Sequence, residues 1–216
     1  MKTLNQYIKE KLIINKNYND SSISPKSFDE LRKIIEDRYD KLGEGTKQNP
    51  INFNDIDVSN LDSFCNNRNK GIFQNTKFKH IDISDWDVSN IKSMRYMFYA
   101  CKELKSVGDL SGWDVSKVTN MGSMFFKCEK LESVGDISKW DVSNVKNMTF
   151  MFHNCHYLNP DVSDWNVSSV TDMSYMFEGC KSFNQDISKW NVSNVIYKNC
   201  IFDKCPIKNE YKPKFK

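Results

Sequence analysis

An α/β repeat solenoid is the fold class that this 216-residue sequence predicts, and three observations predict it. The tryptophans stand only at Trp86, Trp113, Trp140, Trp165 and Trp190, at spacings of 27, 27, 25 and 25 residues. Eight of the nine methionines form the pairs Met94/Met97, Met121/Met124, Met148/Met151 and Met173/Met176, each followed at once by a phenylalanine. Three residues further on comes Cys101, Cys128, Cys155 or Cys180. A fixed period of this length implies stacked units, none of which can bury its apolar face alone.

Taken in chain order, residues 1–23 read as an N-terminal leader, with Leu4, Tyr7, Ile8 and Leu12 spaced for a short helix. It lacks the apolar stretch of a secretory signal and a lipid-attachment cysteine, so the expectation is cytoplasmic synthesis, with virion or surface association open. Residues 24–50 read as a helical cap. Ser27-Phe28-Asp29-Glu30 is a capping box, Phe28, Leu31, Ile34, Ile35, Tyr39 and Leu42 make one apolar face, and Gly43 ends the helix.

Residues 51–207 form the array, opening on the degenerate copy Ile56-Asp57-Val58-Ser59-Asn60-Leu61 and closing on one that has Lys198 where a methionine belongs. Val118, Met121, Met124, Phe125, Cys128 and Leu131 align as a short helix or 3₁₀ turn, whereas Phe183–Ser193 alternates as a short strand and turn does. Each rung is therefore expected to hold one short strand and one helical turn. Asp87, Asp114, Asp141, Asn166 and Asn191, each before Val-Ser, are read as side chains that cap a turn. Residues 208–216, with four lysines, read as a solvated tail.

The consensus D-I-S-x-W-[DN]-V-S-x-V-x-x-M-x-x-M-F-x-x-C-x-x-[LF] resembles the repeat of BspA-like leucine-rich-repeat surface proteins, above all the mycoplasma-type lipoprotein repeat. That resemblance implies a right-handed solenoid and a role in adhesion or in binding host proteins. Met1-Lys2-Thr3-Leu4 through Asn15-Lys16 is similar to leaders of tailed-phage proteins, which implies as alternative a structural or accessory component of a phage particle.

Chemistry is sparse. Lys plus Arg (31) nearly balances Asp plus Glu (28), for a net charge of +3, too even to imply a nucleic-acid partner. The longest apolar runs are too short for a membrane span. His80, His153 and His156 form no catalytic set with a nucleophile, and no phosphate-binding glycine motif occurs, so no enzyme, no catalytic residue and no cofactor is expected. Cysteines at the repeat period form a ladder of small core residues rather than a tetrahedral metal site, their odd number points to reduced thiols, and Cys200 and Cys205 are the one close pair. What remains is a variable surface. Tyr96, Phe150 and Tyr175 stand between the methionines, and Tyr99, Phe126 and His153 follow the Met-Phe pair. These six are the candidate contacts for a protein partner, because aromatics concentrate at interaction hot spots.

Overall fold

The computed structural model describes residues 23–215. The expectation for the leader therefore lies, up to residue 22, outside the described residues. Helix α1 (Phe28–Leu42) is followed by two short strands, β1 (Ile51–Asn52) and β2 (Ile81–Asp82), and a 3₁₀ turn at Asn209–Tyr211. β1 and β2 pair in parallel, Ile51 opposite Ile81 and Asn52 opposite Asp82.

Copy-to-copy pairing continues as single parallel bridges. One column runs Ser63, Ser93, Asn120, Asn147, Asp172, Tyr197, and a shorter one runs His80, Ser106, Ser133. The strand expected over Phe183–Ser193 is instead irregular chain with a turn closed by Trp190 N–H onto Ile187 C=O. The helical turn is absent as well: the Met-x-x-Met-Phe segments are consecutive turns.

Their hydrogen bonds explain why. In one copy the N–H groups of Met94, Tyr96, Phe98 and Ala100 donate to Asn120, Gly122, Met124 and Phe126 of the next copy, at 2.9, 3.1, 2.8 and 2.7 Å. The alternate N–H groups of Met97, Tyr99 and Cys101 donate three residues back within the copy, at 3.2, 3.0 and 3.1 Å. A helix would use every N–H internally and leave the copies unconnected. Alternation satisfies the buried backbone and ties each copy to its neighbour. It also requires two left-handed residues per copy. One column is Asn69, Tyr96, Ser123, Phe150, Tyr175 and Cys200, the other Asn75, Ala100, Lys127, Asn154, Gly179 and Lys204, all at φ between 51° and 71°.

The core is a set of side-chain ladders. Phe73, Phe98, Phe125, Phe152, Phe177 and Phe202 stack in sequence, with centroids 5.2 to 6.0 Å apart and planes within 12°. Each tryptophan Nε1 donates to a carbonyl of the preceding copy: Trp86 to Phe53, Trp113 to Ile83, Trp140 to Leu110, Trp165 to Ile137 and Trp190 to Val162, at 2.8 to 3.3 Å. An indole supplies a large apolar body and one donor, which is what a buried column with a spare carbonyl needs. On the surface Asp87, Asp114, Asp141, Asn166 and Asn191 each accept from the backbone N–H two residues on, at 3.0 to 3.2 Å, as capping side chains do.

Both ends are covered. Ser27 Oγ accepts from Glu30 N–H at 3.2 Å, Gly43 at φ 78° ends α1, and Leu31, Ile35 and Leu42 lie in the core. Arg38, on the same face, is 1% exposed. It grips Asp55 with two hydrogen bonds of 2.6 and 2.8 Å, donates to Asn52 C=O and lies 4.9 Å from the centre of the Phe53 ring. At the other end the expected solvated tail is docked: Ile187 N–H donates to Tyr211 C=O at 3.0 Å, Pro213 is buried, and Tyr211 and Phe215 pack on the core. Tyr211 and Phe215 supply the apolar area that the lysine count conceals.

Removing one partner of the Arg38–Asp55 pair strands a buried charge. Asp55→Ala is expected to lose about 3–5 kcal/mol in urea unfolding, and the double change Arg38→Met/Asp55→Leu to recover most of it. Equal losses in the single and double variants would contradict a charge-pair origin.

Candidate functional site

The six aromatic positions singled out in the sequence come together on one face. Tyr99, Phe126 and His153 stack in sequence at 4.5 and 4.8 Å, with planes 9° and 8° apart. Phe150 and Tyr175 stack at 4.6 Å and 3°. The two columns meet edge to face: Tyr96 on Tyr99 at 5.4 Å, Phe126 on Phe150 at 5.8 Å and Phe150 on His153 at 5.5 Å. The local cause is the turn geometry, which brings residues three apart together and repeats the arrangement at every copy. All six side chains are partly exposed, in contrast to the phenylalanine ladder, which is buried from Phe73 to Phe177.

The first column has an interruption. Ser123 takes the place between Tyr96 and Phe150, and there the face sinks into a concavity of about 400 Å³ bounded by Tyr96, Tyr99, Phe126 and Phe150. Asn69 and Gln74 close one end. A larger concavity of about 470 Å³ lies at the C-terminal end of α1, around Gly43, Gly45 and Thr46. None of the six aromatic positions reaches it.

His153 is held on two sides. Asn154 Nδ2 lies 2.9 Å from its Nε2, and its Nδ1 faces Glu178 Oε2 at 3.1 Å. Burial lowers its pKa and Glu178 opposes that shift, with Lys127 adding to the lowering. His80 and His156 are lowered by burial too, each helped by a lysine, Lys105 and Lys181 respectively.

The cysteine ladder does more than fill space. Cys101, Cys128, Cys155 and Cys180 are buried, and each thiol points at a phenylalanine carbonyl of the preceding copy: Phe73, Phe98, Phe125 and Phe152, at 2.9 to 3.1 Å. Burial pushes the Cys101 thiol up to about 11 and raises the other three well above the ordinary thiol range, so these sulfurs stay protonated donors. The sequence reading treated them as small apolar residues and missed the donor role, whose signal was that cysteine, never alanine or valine, recurs in the column. Cys200 is exposed, Cys205 half-buried, and both are free thiols. Among the described residues no group of three or more His, Cys, Asp or Glu side chains could hold a metal ion, and no helix is long and apolar enough to cross a membrane.

Two measurements follow from this chemistry. If the thiol is a donor, Cys128→Ser retains the bond to Phe98 C=O and should be more stable than Cys128→Ala by about 1 kcal/mol in urea unfolding. The reverse order would mark the column as purely apolar. For pH, a histidine whose folded pKa is lowered binds its proton more readily in the unfolded chain, so stability falls as pH drops below about 6.5. Asp57, Asp114, Asp136 and Asp186, lowered by hydrogen bonds from the serine two residues on, add a second loss as pH falls through about 4. Melting temperature should therefore decline in two acid stages. A flat profile from pH 7 to 5 would contradict the first.

Two tandem stretches of the chain, residues 46–134 and 131–212, match the profile of one protein family, described as Mycoplasma protein of unknown function, DUF285. No curated protein and no solved structure matches the chain. The matched stretches cover the whole set of Trp, Met-Phe and Cys ladders, and on that basis the chain belongs to the DUF285 family.

Proposed function

We propose that this protein is a non-catalytic binding module: a right-handed, leucine-rich-repeat-like solenoid of the BspA type that presents its aromatic face to another protein, at a cell or particle surface. The observation that carries this reading is the placement of large aromatics at left-handed backbone positions. Tyr96, Phe150 and Tyr175 sit at φ 61°, 55° and 60°. A bulky side chain there costs about 1–2 kcal/mol, and glycine would relieve it. The core does not need these rings, because the phenylalanine ladder behind them is complete. Rings retained against a backbone penalty on a partly exposed face support a contact outside the chain in addition to the stacking within it.

Repeat stacks of this kind work through extended surfaces. The aromatic face spans several successive copies and places Lys127 5.1 Å from the centre of the Phe126 ring, so it combines apolar area with positive charge. Assignment to a phage particle rests on the leader alone, and fractionation separates it from the surface reading.

The test is crosslinking and mass spectrometry on cytosol, surface-shaved and particle fractions of the native source, with wild type beside the triple variant Tyr99→Ala/Phe126→Ala/His153→Ala. The variant removes two stacked pairs and should lose about 1–3 kcal/mol of stability while keeping its fold by circular dichroism. It should also lose the crosslinked partner. A partner recovered equally by both proteins would remove the reading, and confinement of the wild type to cytosol would remove surface and particle display together.

A further inference from the structure

The break in the first aromatic column is one position long, at Ser123. Tyr96 and Phe150 occupy the same place in copies two steps apart and hold the same pose. Each meets the second-column ring of its own copy edge to face, Tyr96 on Tyr99 at 5.4 Å and 78°, Phe150 on His153 at 5.5 Å and 77°. Two inter-copy steps span about 9–10 Å. One ring placed midway would lie near the 4.6 Å at which Phe150 and Tyr175 stack.

Arg95 lies 4.4 Å from the centre of the Tyr96 ring, donates from Nη2 to the Tyr96 hydroxyl at 2.6 Å and reaches Asn69 of the preceding copy with Nη1. Tyr175 covers the face of Phe150 away from Ser123. Ser123, 6% exposed, forms a small polar floor.

The polar groups at the mouth point to the ligand's chemistry. Asn69 Oδ1 accepts from Arg95 and Gln74 Oε1 accepts from Gly71 N–H, which leaves their amide NH₂ groups as donors. Arg95 and Lys127 rest on aromatic rings with no carboxylate within ion-pair distance among the described residues, while Lys79, Lys92, Lys102 and Lys130 each have one. Walls of rings, donors at one end and two cations without acidic partners complement an aromatic side chain carried on an acidic segment.

We propose that the slot over Ser123, between Tyr96 and Phe150, receives one aromatic side chain, best a tyrosine, from an acidic stretch of a partner protein. This rests on the binding-module reading above and names the chemistry of its partner. A nucleobase would stack equally well, but successive phosphates beside it would need a longer basic track than Arg95 and Lys127 supply, and Lys102 and Lys130 are paired with Glu129 and Glu103.

The test is an NMR chemical-shift titration of the full chain with four probes: the acetylated, amidated tripeptides Glu-Tyr-Glu, Glu-Leu-Glu and Lys-Tyr-Lys, and adenosine monophosphate. Glu-Tyr-Glu should saturate in the millimolar range, with shifts centred on Tyr96, Ser123 and Phe150. The leucine and lysine peptides should bind several-fold more weakly. Ser123→Phe fills the slot with a residue type this column already holds at the same φ, and should weaken Glu-Tyr-Glu roughly tenfold or more. Phe150→Leu, which removes one wall, should bind more weakly whatever the fate of Ser123→Phe. Absence of shifts at the slot, equal binding of the leucine peptide, or unchanged binding by Ser123→Phe would overturn the proposal. Binding of adenosine monophosphate with a silent tyrosine peptide would overturn it in favour of a nucleobase. A crosslinked partner lost by the triple variant but kept by Ser123→Phe would sink the slot and leave the binding module standing; a partner kept by both would sink the module itself.

Discussion

The alternating use of backbone N–H groups is the constraint on which the rest of the structure depends. Every second N–H in the Met-Phe-Cys segment closes a turn within its own copy, and the others reach the carbonyls of the next copy. An unpaired buried amide costs as much as a lost hydrogen bond, so the segment must pair on both levels at once. Doing so bends the chain into the left-handed region twice per copy, at positions four or more residues apart. Each copy is thereby incomplete alone and complete only in a stack.

Once that geometry repeats, side chains at equal positions fall on one another. A phenylalanine column stacks ring on ring, and an indole and a thiol each reach back to a carbonyl of the previous copy. Periodicity of residue type is therefore a consequence of periodicity of environment. The ends break the rule because they have only one neighbour. At the beginning, α1 covers the first copies with Leu31 and Ile35 and anchors itself through Arg38 to Asp55. At the other end the last copy gives up its methionine for Lys198, leaves Ile196 and Tyr197 exposed at 68% and 57%, and is partly covered by the returning tail.

The aromatic face obeys the same repeat but a different logic. Its two columns share the inter-copy step of the core, yet their members vary between tyrosine, phenylalanine, histidine, serine and cysteine from copy to copy. Variation is tolerated because all the aromatic members are partly exposed and packing restricts them less than it does the core, while Ser123 is buried beneath its neighbours. Positions on this face can change at less cost to the fold than positions in the core, and the slot at Ser123 is one product of that freedom.

The copies, the core columns, the capped helix before them and the two aromatic columns were legible in the chain's residue order, because each is written as spacing. Trp140, Met148, Phe152 and Cys155 could be placed in the core from their recurrence alone. The path of the backbone between them was not legible there. An apolar spacing of three and four suits a helix and a chain of turns alike, and the choice for turns follows from hydrogen bonds to a neighbour some 25 residues away. Arg38 in the core, the donor thiols, the docked tail and the open slot were likewise invisible, since each depends on a partner distant in sequence: Asp55, a carbonyl of the preceding copy, Ile187, and the two rings that Ser123 separates.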